Sequence, residues 1–226
     1  MPGSRGKDWR KGDLAEGLGL ELLRPFAFIA PVPRPEDVGI DAVTTLFRPE
    51  NKRLVAEDSF LVQVKAESVR HIKYCGEQLE WLRAKLPLFW LSLDLANATA
   101  ELWSMIRATG HPNFRDRNAV VIYLDQRPID IPGDEMHIWI DKPILRWTPI
   151  DAANQAFQQN AYLVLKAWIE FEMQCLAVRP LGMTLGVKWE TNRPPEPTGA
   201  YGVMHHPSEL RSVLQHIRPH IQVLHA

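Results

Sequence analysis

Cysteine is scarce, and the two present, Cys75 and Cys175, are far apart in the chain. Their separation fits neither a disulfide framework nor a metal-ligand pair, so both are read as reduced thiols of a cytoplasmic protein. Net charge is missing as well: 26 Lys and Arg against 27 Asp and Glu leave -1. That excludes a broad, unspecific nucleic-acid surface but leaves room for a local basic groove. No apolar run approaches the roughly 20 residues of a membrane span, and no hydrophobic leader core follows the polar start. A Walker loop, a dinucleotide fingerprint and a Gly-x-Ser-x-Gly elbow are all absent, which sets aside nucleotide-driven engines and serine hydrolases. His205-His206 and the pair His216 and His220 have no Cys or carboxylate to complete a zinc set, and Pro219 breaks their helical spacing. They are read as surface histidines.

What is present is ordinary globular material, with 46% hydrophobic and 23% charged residues, enough for one substantial core. Its most informative stretch is Phe60-Leu61-Val62-Gln63-Val64-Lys65-Ala66. Side chains alternate along a strand, so Phe60, Val62, Val64 and Ala66 share one face and Leu61, Gln63 and Lys65 the other. Gln63 and Lys65 then stand about 7 Å apart on one face. Polar groups on so apolar a strand need partners, and Asp41, after Gly39-Ile40 on the preceding strand, is the candidate. Antiparallel pairing of 39–48 with 60–66 would bring it opposite them. One reading is a buried ion pair of Asp41 and Lys65 bridged by Gln63; the other is a functional site, favoured because burying such a network costs desolvation energy that apolar residues would not.

An acid after Gly-Ile, a hairpin-sized gap and then Gln-x-Lys resembles the core of the PD-(D/E)xK nuclease superfamily, in the Gln-for-acid version of Mrr-type restriction endonucleases. Gly12-Asp13-Leu14-Ala15-Glu16 extends the likeness, because those relatives carry a glutamate on the helix ahead of the Asp strand. The resemblance covers residues 12–95. It implies a restriction-endonuclease-like mixed sheet flanked by helices, a Mg2+ or Mn2+ cofactor, and metal-dependent cleavage of nucleic acid, most specifically DNA in restriction or anti-phage defence. Asp41 would anchor the cation, with the Gln63 amide oxygen, the Val64 carbonyl and Glu16 as further ligands. Lys65 would orient the water or neutralise developing charge. A catalytically silent nuclease-fold protein that binds nucleic acid or a protein partner is the alternative. With a neutral Gln63 the site holds one charge fewer than an all-acid version, so it should bind metal more weakly and lean on Glu16.

Along the chain, residues 1–11 read as a flexible tail and 12–226 as one α/β domain, with a nuclease core at 12–95 and a strand/helix extension at 96–226. Leu14, Leu18 and Leu22 mark a helix over 13–23, ended by Pro25, with Asp13 and Glu16 as a capping box that competes with the metal role of Glu16. Glu36 and Asp37 precede a strand at 39–48, Asp37 being a minor metal-ligand candidate. Pro49 to Arg53 form a turn and an irregular hairpin leads to Phe60. A helix is expected at 75–86, stopped by Pro87, then a doubly buried strand at 88–95, and strands at 100–106, 119–124 and 136–141. Arg107, Arg115 and Arg117, with His111, lie in a loop that either contacts phosphate or is simply solvated. Asp151 is expected to cap a long helix at 152–177, whose Phe157, Ala161, Val164, Trp168, Phe171 and Cys175 form a seam edged by Leu165, Ile169 and Leu176. That seam packs within the subunit or makes a homodimer. Residues 190–199 read as a loop, followed by a short helix ending near Pro219.

Overall fold

The computed structural model describes residues 9–33, 39–83, 85–110, 118–125 and 135–202. Glu36, Asp37, His111, Arg115, Arg117, His205, His206, His216, His220 and the expected C-terminal helix lie outside these residues.

Chain order gives α1 (Trp9–Leu23), β1 (Ala27–Pro31), β2 (Ala42–Glu50), β3 (Arg53–Ala66), β4 (His71–Cys75), a 3-10 helix (Gly76–Arg83), β5 (Leu88–Asp94) and β6 (Thr99–Ser104). Then follow α2 (Ile106–Thr109), β7 (Ala119–Leu124), β8 (Met136–Ile140), β9 (Leu145–Trp147), α3 (Pro149–Ala153), α4 (Gln155–Val178), β10 (Met183–Lys188) and β11 (Glu196–Gly202). A mixed six-stranded sheet, ordered β1-β2-β3-β5-β6-β9, forms the centre. Only β3 and β5 run parallel; every other neighbouring pair is antiparallel. The protein is thus α/β with a mixed central sheet and a long C-terminal helix.

Both main helices lie on one face. A side chain at Gly19 of α1 would come within 3.0 Å of Val64 and 3.1 Å of Leu91, so helix and sheet touch almost backbone to side chain there. From α4, Glu172 meets Ser104, whose strand partner is Phe89, on the same face as Leu91. Trp147 joins the two helices to the sheet: its indole N–H donates to the Leu22 carbonyl at 3.0 Å, and its ring meets Phe26 edge-on at 5.7 Å. The opposite face is closed by a second sheet, β4-β7-β8, together with the 3-10 helix. Ala161, Val164, Trp168, Phe171 and Cys175 are all buried within the chain, so the α4 seam packs inside the subunit and is not available to a second copy.

Several local expectations need correction. Residues 75–86 are not α-helical: Gly76 takes φ 56°, and the tighter 3-10 helix, rising about 2.0 Å per residue against 1.5 Å, covers the crossing between sheets with few residues. α1 covers Trp9–Leu23, reaching into the supposed tail, so Asp13 lies within the helix rather than at its N-cap position. β3 begins at Arg53, not Phe60, because the hairpin turns tightly at Asn51 and Lys52, Asn51 adopting φ 55°. The hairpin register shifts between Thr45 and Phe47, where two steps along β2 span three along β3; β2 itself keeps its alternation, with Ala42, Thr44 and Leu46 buried and Val43, Thr45 and Phe47 on the more open face. Asn154 caps α4 through hydrogen bonds from Ala156 and Phe157, while Asp151 completes a capping box with Thr148 on the separate α3. Residues 196–199 of the expected loop belong to strand β11, which runs on to Gly202. Residues on either side of 95/96 share one sheet and one core: β6 and β9 complete the central sheet, and the apolar core runs from Ala15 to Trp189.

Candidate functional site

β3 is longer than its antiparallel partner, and that mismatch makes the site. Its bonds to β5 come from odd-numbered residues: Leu61 donates to the Pro87 carbonyl at 2.8 Å and Glu67 to the Leu93 carbonyl at 2.9 Å. In a parallel ladder such bonds recur at every second residue, so the backbone groups of Val62 and Val64 point toward β2. Pairing with β2 ends at Ala42↔Val62. Beyond it Asp41 does the strand's work with its side chain. Its own N–H reaches the Val62 carbonyl at 2.9 Å, and its Oδ2 accepts the Val64 N–H at 2.6 Å. The Val64 carbonyl points to the same side, past the last β2 pair.

By register Asp41 falls opposite Gln63, as the strand parity requires. Gln63 is 5% exposed, and its Oε1 accepts the Tyr74 hydroxyl from β4 at 2.7 Å. Tyr74 is itself buried. Burial first, and then the charge of Asp41, pushes its phenol well above the usual range, so it stays a donor. Lys65 is half-buried one pleat beyond Gln63 on that face. Among the described residues no ion pair joins it to Asp41, so the bridged Asp41–Lys65 pair does not form. The structure therefore gathers Asp41, Gln63, the Val64 backbone and Lys65 at one strand end. Glu16 sits on α1, one turn before Gly19, on the helix that covers the opposite face. Its route to the others runs around the end of β3 rather than through the sheet.

The surroundings of Lys65 alternate in charge. A row of residues on the same face crosses four strands, Lys65↔Ser92↔Glu101↔Arg146. Arg70 pairs with Glu67 and Asp125 and lies 3.9 Å from Glu101; Arg146 lies 3.5 Å from Glu101. Burial pushes the Glu101 carboxyl up, against the pull of these arginines. No basic stripe converges on Lys65 among the described residues. Arg107, expected in a loop, lies on the short helix α2 and is engaged locally: it donates to the Trp139 carbonyl at 2.9 Å and stacks over Trp189 at 4.7 Å. Comparison with protein-family models, with curated proteins and with solved structures gives no match.

The donor set fits a hard, largely hydrated cation rather than a dehydrated one. Among the described residues no three His, Cys, Asp or Glu side chains converge. Protein oxygens would come from the Asp41 carboxylate, the Gln63 amide and the Val64 carbonyl, leaving the other positions to water, a pattern suited to Mg2+.

One acid was missed in the sequence. Glu172 is fully buried on α4, where its Oε1 accepts the Ser104 hydroxyl at 2.6 Å. Burial, opposed by that bond and one from the Leu88 backbone, lifts its carboxyl to about 8. The signal was present: Leu165, Ile169, Glu172 and Leu176 keep the 4-3-4 spacing of an apolar edge, so position 172 was bound to face inward.

Proposed function

We propose that the protein hydrolyses phosphodiester bonds of nucleic acid in a Mg2+- or Mn2+-dependent reaction. Within that class, the resemblance to PD-(D/E)xK nucleases suggests a cytoplasmic DNA endonuclease of restriction or anti-phage defence type. The observation that carries the reading is the strand-end arrangement: Asp41 held over the unpaired end of β3, with Gln63, the Val64 carbonyl and Lys65 on its side. Asp41, Gln63 and Val64 would hold the cation, with Glu16 as the second acid. When bound, it supplies neutralisation of the phosphoryl oxygens and a more acidic water. Lys65 places a positive charge where the phosphorane-like charge develops. Tyr74 holds the Gln63 amide by its oxygen, so that side chain is fixed in place before any cation arrives. The test is cleavage of single- and double-stranded DNA and RNA by purified protein with Mg2+ or Mn2+. Activity lost in Asp41→Ala supports the reading; equal activity in wild type and Asp41→Ala, or none on any substrate, ends it.

A second reading, a silent nuclease fold that binds without cutting, is favoured by one observation. The Gln63 oxygen already accepts from Tyr74, so cation binding must share or displace that bond.

A further inference from the structure

A second cleft lies away from the strand end, between the open edge of β8 and the β10–β11 hairpin, with a volume of about 480 Å³. Two aromatic rings stand at it, Trp139 at 39% exposure and Tyr201 at 56%. Tyr201 is seated by a missing side chain: a Cβ on Gly186, across the hairpin, would come within 2.4 Å of its ring and 2.6 Å of the Thr198 hydroxyl oxygen. The ring is laid over the Gly186 backbone, one side supported by the hairpin and the rest open to solvent. Arg107 lines the same cleft. It donates to the Trp139 carbonyl and lies 3.8 Å from Asp141, yet its side chain keeps 38% exposure, and a guanidinium carries five N–H donors. His137 also lines the cleft, its Nδ1 against the Tyr123 hydroxyl at 3.1 Å and its Nε2 buried.

We infer that this cleft binds an unpaired nucleobase of a single-stranded nucleic acid, stacked on Tyr201 and Trp139, with the adjoining phosphate on Arg107. Exposed aromatic faces beside a cationic fork are the equipment for sequence-tolerant recognition of single strands, because every base has a face to stack and every nucleotide a phosphate. A duplex keeps its bases stacked on one another and presents none to such a cleft. A purely apolar partner would cover the half-exposed Arg107 guanidinium without offering its remaining donors an acceptor. This inference rests on the reading of nucleic acid as the substrate and names its form at this cleft: a strand with free bases.

The experiment measures fluorescence anisotropy of a labelled oligothymidylate in EDTA, so that no hydrolysis intervenes, with the full chain. The expected result is binding of the single strand that weakens about tenfold or more in Tyr201→Ala and in Trp139→Ala, with unchanged thermal melting. Tyr201→Phe, which keeps the ring, should retain it. Gly186→Ala, which leaves the ring chemistry intact but displaces it, should lose it. Equal affinity for an abasic oligomer or for duplex DNA, or wild-type affinity in Tyr201→Ala, overturns the inference. Binding without Mg2+-dependent cleavage would sink the nuclease reading and leave this one standing. Cleavage with unaltered binding in the ring variants would do the reverse.

Discussion

The two faces of the central sheet each hold a carboxylic acid, and the contrast between them is instructive. On the helical face Glu172 is sealed in the core, its Oε2 without a hydrogen-bond partner among the described residues, and burial keeps it protonated to about pH 8. At the other acid, Asp41, the chain runs out of strand: the carboxylate replaces a ladder partner, half-exposed, beside an amide, a carbonyl and an amine. A protonated acid in a closed core serves packing. An acceptor at a strand end, with polar neighbours from one face and a way out to solvent, is the setting the proposed chemistry needs. Residue type alone does not separate these roles; the length of the neighbouring strand does.

The contrast breaks most visibly on the helical side. Trp168, fully buried and edge-on to Trp189 at 5.4 Å, cannot accept a charge. Trp168→Asp should cost about 4 kcal/mol or more and yield insoluble or unfolded chain. Sedimentation showing a folded monomer from a wild-type dimer would instead place the seam between subunits.

On the open side, Lys65→Ala should slow cleavage by about two orders of magnitude or more while calorimetry finds Mg2+ affinity unchanged. A parallel loss of metal binding would assign Lys65 to the cation's surroundings rather than to the chemistry. Gln63→Glu should tighten Mg2+ by adding a charge if the amide oxygen is a ligand.

Glu172 sharpens the comparison through pH. The folded chain holds its proton to about pH 8, whereas the unfolded chain releases it near 4.5. The folded form binds more protons in that window, so stability falls as pH rises through it. The contribution is complete below pH 4.5 and lost above about 8, a change on the order of a few kcal/mol. Denaturant titrations from pH 5 to 9 should show this decline in wild type and a flatter profile in Glu172→Gln.

The smallest effect concerns the tie between the two sheets. Tyr74→Phe removes the hydroxyl from Gln63 and should cost about 1 kcal/mol, while Mg2+ affinity rises if that hydroxyl competes with the cation for the amide oxygen.

How far these features were legible follows from the physics of each. The alternation from Phe60 to Ala66 and the largely apolar stretch at 88–94 marked two strands, because each fills a doubly covered position in the sheet. The seam of α4 gave the long helix. Arg53 to Ser59 gave no strand signal: this arm of the hairpin is largely exposed, so selection for burial leaves no period there. β1 was hidden by Pro31 and Pro33, which an edge strand tolerates. The small sheet joins β4 to β7 across forty-odd residues, a pairing no local pattern encodes. At the site, parity placed Gln63 and Lys65 together and register brought Asp41 to them. Tyr74 was invisible, since nothing in His71 to Cys75 announces that its hydroxyl will cross between sheets.

Asp41 in place of a strand has one more consequence, for spectroscopy. The Val64 amide proton is held by a side chain rather than by a ladder, so its resonance and its exchange rate with solvent report on the Asp41 carboxylate alone. A cation or phosphate that draws Oδ2 away should move that single amide peak and speed its exchange, while the amides of Leu61 and Glu67, bonded toward β5, stay fixed. For the proposed cation site, that one amide is a built-in titration indicator.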